Sequence, residues 1–485
     1  MDKTRETSAR LVEIACSIPA STISLCLSWA RFRSIQLNRF LQGLSSPQKV
    51  NLVVKLIERL RVHWSILTQL NLSSFLFAFF LSSTLLNGTK CEATVYLGID
   101  VLEQRDFQIL KGKRVGLLTH PAGVNHRGAS TIDILRNSKN VSLVALFGPE
   151  HGIYGNEKAS IPVENQFDLK TGLPVRSLYG KFRKPTPLML DGIDVFVIDL
   201  QDIGVRSYTF VSAMRLSMEA CFEKGVEVVV LDRPNPLGGL KVDGPYLEKR
   251  WMSYVGAFRV PYVHGLTIGE LANMAKEIPG WMEVDHKTQQ RGKLTVIPMR
   301  GWRRDMMWPD TGLKWIQTSP AIKDLSAVLG YAMTGLGCQL GDFSHGYGWQ
   351  HLFRIVRYPN KSPEEIRNAL SARRIPGLQV VIVPVRQSNG RHGQGAYLKV
   401  DNWRALRPTE VSFHMMQIAT RWSGGNPFSS AGKREQILFN KHVGSTKWWR
   451  AITRNGITVD VDLFIKQWQN QAKAFQAMSR KYWLY

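Results

Sequence analysis

The sequence predicts an α/β fold built on a parallel sheet, and three observations predict it. Short, continuous runs of β-branched and other apolar residues recur between about 114 and 231, without the polar alternation of a one-sided sheet. Stretches of helical periodicity separate them, as right-handed crossovers between parallel strands require. The chain, at 485 residues, is also too long for one ordinary core, so two domains and an appendage are expected.

The appendage comes first. Residues 1–63 form an N-terminal extension, and residues 64–93 form a signal peptide or signal-anchor segment. No charged residue occurs from Trp64 to Thr89, a run long enough to span a bilayer, which takes about 20 residues. Arg59 and Arg61 precede it with no comparable basic cluster just after, so the positive-inside rule predicts export of the downstream chain. Cys91-Glu92-Ala93 offers small residues where a signal peptidase reads them, and an uncleaved anchor remains the alternative.

The strands then come in order. Arg114–Thr119 is the first, ending at His120-Pro121-Ala122-Gly123, with a helix expected over Thr131–Arg136. Val141–Phe147 is the second, ending at Gly148-Pro149-Glu150-His151-Gly152. Asp194–Ile198 is the third, ending at Asp199-Leu200-Gln201-Asp202, and a helix over Phe210–Lys224 succeeds it. Val226–Leu231 is the fourth, ending at Asp232-Arg233-Pro234-Asn235. Parallel strands with right-handed crossovers place all these ends on one edge, where open α/β sheets bind ligands. That edge is expected to be a polar cleft gathering His120, Glu150, His151, Asp199, Gln201, Asp202, Asp232, Arg233 and Asn235. Each alone is equally well read as a turn or cap residue, Asp232 and Asn235 especially so beside their prolines.

Several chemistries drop out. No strand leads into G-x-G-x-x-G or a P-loop, and there is no G-x-S-x-G elbow. His120, His151 and His264 are too scattered to predict a metal site, so no metal and no cofactor are expected. The five cysteines (Cys16, Cys26, Cys91, Cys221, Cys338) lack C-x-x-C spacing, and Cys221 lies in a helical stretch as a buried thiol. The formal net charge of +25 predicts a basic surface attracting anionic partners, or simply a solvated one. No nucleic-acid recognition motif accompanies it, and export argues against such a partner. What the edge has in quantity is carboxylates, the groups that cleave glycosidic bonds by donating to the leaving oxygen. Glu150, between a proline and a His-Gly pair, is the candidate general acid; the plain alternative is a helix cap or an ion pair with a nearby arginine.

Longer motifs carry a resemblance. Gly148-Pro149-Glu150-His151-Gly152, Thr171–Gly180, Asp199–Thr209, Leu231–Gly239, His264–Ala272, Pro298–Trp302 and the terminal Arg480–Tyr485 together resemble the exo-β-N-acetylmuramidases, the NamZ-type peptidoglycan hydrolases. The resemblance covers essentially everything after the export segment. It implies a Rossmann-like domain over 94–318, a smaller C-terminal α/β domain over 319–485, and a cleft between them. It also implies release of N-acetylmuramic acid from non-reducing ends of peptidoglycan fragments or muropeptides, with Glu150 catalytic. Substrate contacts are then expected from His120, His151, Asp199, Gln201, Asp202, Arg206, Tyr208, Asp232, Arg233, Asn235 and His264. Arg206 is expected to hold the lactyl carboxylate of muramic acid, or alternatively to pair with Asp202. Membrane contact is expected only through the N-terminal segment, and the site of action in the periplasm or cell envelope.

The sequence departs from the family in one place that matters. The family's Glu-Gly-Thr-Asn stretch is replaced around Gly337–Trp349, so Gln339 or Leu340 falls where a second glutamate is usual. Asp342 or His345 are the nearby substitutes. The change motivates a second reading, a non-catalytic or retuned glycan binder in which Phe343, Tyr347 and Trp349 stack on sugar rings. Thr318–Lys323 likewise replaces a Pro-Ser-Pro-Asn-Met-Pro stretch.

Overall fold

A computed structural model of the chain describes residues 95–155, 166–346, 350–386 and 390–485. The extension, the 64–93 segment, Tyr347 and Trp349 lie outside the described residues. No helix among the described residues is long and apolar enough to cross a membrane.

Helix α1 (Gly98–Gln104) leads into β1 (Arg114–Thr119), α2 (Thr131–Asn137), β2 (Ser142–Gly148), β3 (Gln166–Phe167) and β4 (Pro174–Ser177). Next come β5 (Val195–Asp199), α3 (Thr209–Lys224), β6 (Glu227–Leu231), α4 (Ile268–Glu277), α5 (His286–Arg291) and β7 (Leu294–Ile297). They build one sheet in the order β3-β4-β2-β1-β5-β6-β7, in which all but β3 run parallel. Every residue of β5 is buried, as is β1 after Arg114. Burying a Val, Leu or Ile side chain is worth roughly 1.5–3 kcal/mol, against about 1–2 kcal/mol to fix a residue's backbone. Strands this short therefore hold when both faces are covered, which is why they read as unbroken apolar runs.

Sheet neighbours depart in both directions from β1, toward β2 and toward β5, so the order reverses at the β1–β5 crevice. The chain crosses the far edge closely at Gly98: a Cβ there would stand 2.5 Å from the Asp232 nitrogen and 2.8 Å from the Ile297 carbonyl oxygen. Helix α3 ends at Gly225 in the left-handed conformation (φ 79°). Its Cys221 is a buried free thiol, and burial pushes that thiol well above its ordinary pKa.

A second, antiparallel sheet comes after helix α6 (Leu325–Thr334). It comprises β8 (Ser344–His345) and β9 (Ile355–Arg357), then, after α7 (Pro363–Ser371), β10 (Leu378–Arg386) and β11 (His392–Val400), in the order β10-β11-β9-β8. Helices α8 (Pro408–Trp422), α9 (Lys433–Val443), α10 (Thr446–Asn455) and α11 (Val461–Ser479) complete the chain. The largest apolar core is shared between the regions: Phe196, Met214 and Tyr262 belong to the same cluster as Phe413, Trp448 and Trp468. The antiparallel sheet keeps a smaller core of its own around Phe343, Leu398 and Met415.

Candidate active site

Strand β2 delivers Glu150 to the parallel edge. The Gly152 nitrogen donates to the Pro149 carbonyl (3.0 Å), closing a tight turn, and both His151 (φ 74°) and Gly152 (φ 72°) are left-handed. The bend lifts Glu150 out of the sheet and into half-buried surroundings. Its Oε2 accepts a hydrogen bond from Thr209 Oγ1 (2.8 Å), the first residue of α3. Two phenols feel its charge. Burial raises the pKa of Tyr254 and of Tyr331, and the Glu150 carboxylate raises both further.

His120 lies near this turn, close enough for the His151 charge to act on it, and His264 lies by the loop after β5. His120, at the end of β1, is buried against the edge of Phe210 (4.6 Å between centroids), and its Nε2 accepts from the Gln201 nitrogen (2.8 Å). Burial first, then the charges of Arg233 and His151, hold its pKa well below the ordinary value, so the ring is neutral with its proton on Nδ1. His264 accepts from the Leu266 nitrogen (3.1 Å) through Nδ1 and stands 3.4 Å from Asp202 through Nε2. Asp202 in turn accepts from the Gly204 nitrogen (2.8 Å). Tyr208 lies against Phe210 and Tyr331 and donates to Thr318 Oγ1 (2.8 Å). Four residues here each keep one buried polar atom without a hydrogen-bond partner among the described residues: His120 Nδ1, Gln201 Oε1, Asp202 Oδ1 and His264 Nε2. Such atoms in a folded protein call for a water or a ligand.

The remaining strand-end residues correct the expectation of an open polar cleft. Asp199 and Arg233 form a buried two-pronged ion pair (2.5 and 2.9 Å), and Thr131 Oγ1 also donates to Asp199. Asp232 accepts from four donors: the Arg233 and Gly269 nitrogens, the Thr267 hydroxyl and the Tyr485 hydroxyl. Asn235 accepts from the Leu237 nitrogen and donates to the Leu266 carbonyl. These groups hold the scaffold together.

Arg206 corrects the sequence reading most sharply. It is 1% exposed and donates to four carbonyls, those of Pro245, Val260, His442 and Val443, at 2.7–3.0 Å. Its donors meet these carbonyls, and Asp202 is not among its partners; it ties the loop after β5 to the end of α9.

The C-terminal region supplies the other wall. Tyr331, from α6, shares hydrogen bonds with Ser207 and opens a cavity of about 430 Å³ lined by Leu340, Phe353, Glu435, Phe439 and His442. Leu340, one of the two residues expected to replace the family's glutamate, lines this cavity. His345 stacks behind Phe353 (4.1 Å). Asp342 is exposed and its charge acts on Tyr358, in the separate core of the antiparallel sheet. Phe343 is fully buried against Tyr358 and Trp422, which removes it as a sugar-stacking surface.

Sequence reasoning passes over Thr209, Tyr254, Tyr331, Tyr179 and Arg183. Thr209 and Tyr179 lie inside the family motifs; nothing in the sequence around Tyr254 marks it. As for metals, Glu410, His414 and Asp462 converge among the described residues, but Arg407 donates to Glu410 at 2.6 Å and already supplies a cation there.

Comparison with known proteins agrees along the chain. The family described as "Exo-beta-N-acetylmuramidase NamZ, N-terminal" matches residues 115–326, and its C-terminal counterpart matches residues 329–485. A curated relative, the peptidoglycan beta-N-acetylmuramidase NamZ of Bacillus subtilis (strain 168), is 34% identical over 404 residues, spanning 82% of this chain and 93% of the relative. Two solved structures of DUF1343 family proteins from Bacteroides fragilis NCTC 9343 are also similar. One is 37% identical with a TM-score of 0.72, the other 25% identical with 0.60; each match covers 81% of this chain and 99% of the other.

Proposed function

Because this chain belongs to the NamZ family of exo-β-N-acetylmuramidases, we propose that it is an exo-acting glycosidase that releases N-acetylmuramic acid from the non-reducing ends of peptidoglycan fragments. The observation that carries the reading is the placement of Glu150. A carboxyl on a tight turn, held by the Thr209 hydroxyl, stands at the parallel edge, and its charge reaches Tyr331 on the wall of the cavity. In that position it protonates the leaving oxygen as the glycosidic bond breaks. The unmet polar atoms of His120, Gln201 and Asp202 are buried behind the edge and are suited to ordered water there. With Gln339 or Leu340 in place of the family's second glutamate, the reading needs only one protein acid. The substrate's own 2-acetamido oxygen attacks C1 as the glycosidic bond breaks, one of the exceptions to the two-carboxylate scheme. Water, losing its proton to the now-ionised Glu150, then opens the resulting oxazoline ring.

Glu150→Gln is expected to abolish release of muramic acid from a muramic-acid-terminated disaccharide, whose sugar leaving group needs the proton, with the unfolding midpoint retained. Full activity in that variant sinks the assignment. We also place the enzyme outside the cytoplasm, on the strength of the uncharged Trp64–Thr89 run. A reporter active only after export, fused after Ala93, checks this; a silent reporter overturns it.

A further inference from the structure

A glycosidase that selects muramic acid must recognise the feature that sets that sugar apart, the carboxylate of its 3-O-lactyl group. Arg206 is engaged with four carbonyls, Arg233 with Asp199, and Lys184 with Glu223 (2.7 Å). Arg183 is different. It is exposed, and no carboxylate lies within ion-pair distance of it among the described residues.

Topology brings it to the site. Strand β4 runs parallel to β2 in the register Phe147↔Arg176 and Gly148↔Ser177, so the segments beyond both strands leave the sheet at the same edge. One segment carries Glu150; the other carries Tyr179 and Arg183. The Arg183 guanidinium lies over the ring of Tyr254 (4.4 Å to the centroid) and near that of Tyr179 (5.6 Å). Tyr254 feels both the Glu150 and the Arg183 charge, so acid and cation flank one phenol. The Tyr254 hydroxyl is buried and has no hydrogen-bond partner among the described residues.

We propose that Arg183, stacked on Tyr254, anchors the lactyl carboxylate of the terminal muramic acid while Glu150 acts at its glycosidic oxygen. The inference rests on the muramidase reading. Contact with the Tyr254 ring restrains the guanidinium at 4.4 Å, and its exposed N–H groups can meet a carboxylate with two parallel hydrogen bonds. Only sugars with the lactyl group gain from this contact, so it acts on specificity.

Binding to the full-length Glu150→Gln protein tests it without turnover. By calorimetry, N-acetylmuramic acid is expected to bind more tightly than N-acetylglucosamine, which lacks the lactyl group. Adding Arg183→Gln is expected to weaken N-acetylmuramic acid by roughly 10- to 100-fold, the range for a charged hydrogen bond, and to leave N-acetylglucosamine unchanged. Arg183→Lys, which keeps the charge but not the fork, should recover part of the loss. Equal weakening of both sugars would mean that Arg183 merely packs on Tyr254, and it overturns the proposal. So does an unchanged or absent preference for the carboxylate sugar. Wild-type turnover separates the two readings. Hydrolysis with no Arg183 effect removes this inference alone, whereas absent hydrolysis with an intact carboxylate preference removes only the catalytic reading.

Discussion

At the scale of single residues, Glu150 is defined by its holders. His151 adopts a left-handed backbone that costs a non-glycine residue about 1–3 kcal/mol, and such strain persists where the surrounding structure enforces it. Here it produces the sharp turn that presents the carboxyl. The Thr209 hydroxyl then helps to fix the carboxyl's rotamer. Thr209→Val keeps the shape and the β-branch but removes the donor. The expected result is a fall in kcat/KM of roughly tenfold, the low end for losing a hydrogen bond to a charged group, with the unfolding midpoint nearly unchanged. Thr209→Ser should restore most of it. Unchanged kinetics in the valine variant would mean that the hydroxyl does not position the acid.

At the scale of elements, the parallel strands were legible because burial on both faces leaves no choice of residue. The runs at 114–119, 141–147, 194–198 and 226–231 fall within one residue of β1, β2, β5 and β6. The short β4, with only four residues, carries no comparable run; β10 does carry one, Val380-Val381-Ile382-Val383, which the reading of the sequence passes over. The strand ends were legible as polar but not as buried. Nothing in Asp232-Arg233-Pro234-Asn235 tells that Tyr485, 253 residues on, will donate to Asp232, or that Asp199 will meet Arg233. Arg206 shows the same limit. Spacing suggested Asp202, four residues earlier, whereas two of its four acceptors lie more than 230 residues away in α9. A buried guanidinium with four carbonyl partners makes the position of α9, and so of Phe439 and His442 on the cavity wall, depend on the loop after β5.

At the scale of the whole molecule, buried titratable groups pull stability in opposite directions with pH. Burial lowers His442 to about 4, with the Arg206 charge adding to it, and lowers His345 to about 4, with Arg357 adding; His120 is lowered too. Below about 6.5 the unfolded chain protonates such histidines and the native one does not, so their contribution is present above that pH and is lost as pH falls toward 4. Burial raises Glu270 to about 7, and also raises Asp232, Asp243 and Glu219. Native Glu270 keeps a proton that the unfolded chain has released between its unfolded value of 4.5 and about 7, so its contribution is present at low pH and is lost as pH rises through that window. Because the two sets overlap, the wild-type profile alone hides both, and a difference between proteins exposes one. His442 keeps an edge on the cavity, and replacing it leaves the sheet edge intact. Between pH 7.5 and pH 5, wild-type protein should lose up to about 2 kcal/mol more unfolding free energy than His442→Gln, one proton over the interval below 6.5. Any constant cost of the glutamine cancels in that comparison. Urea titrations of both proteins at the two pH values read the difference directly, and equal losses would show that His442 takes up its proton as readily in the folded state as in the unfolded chain.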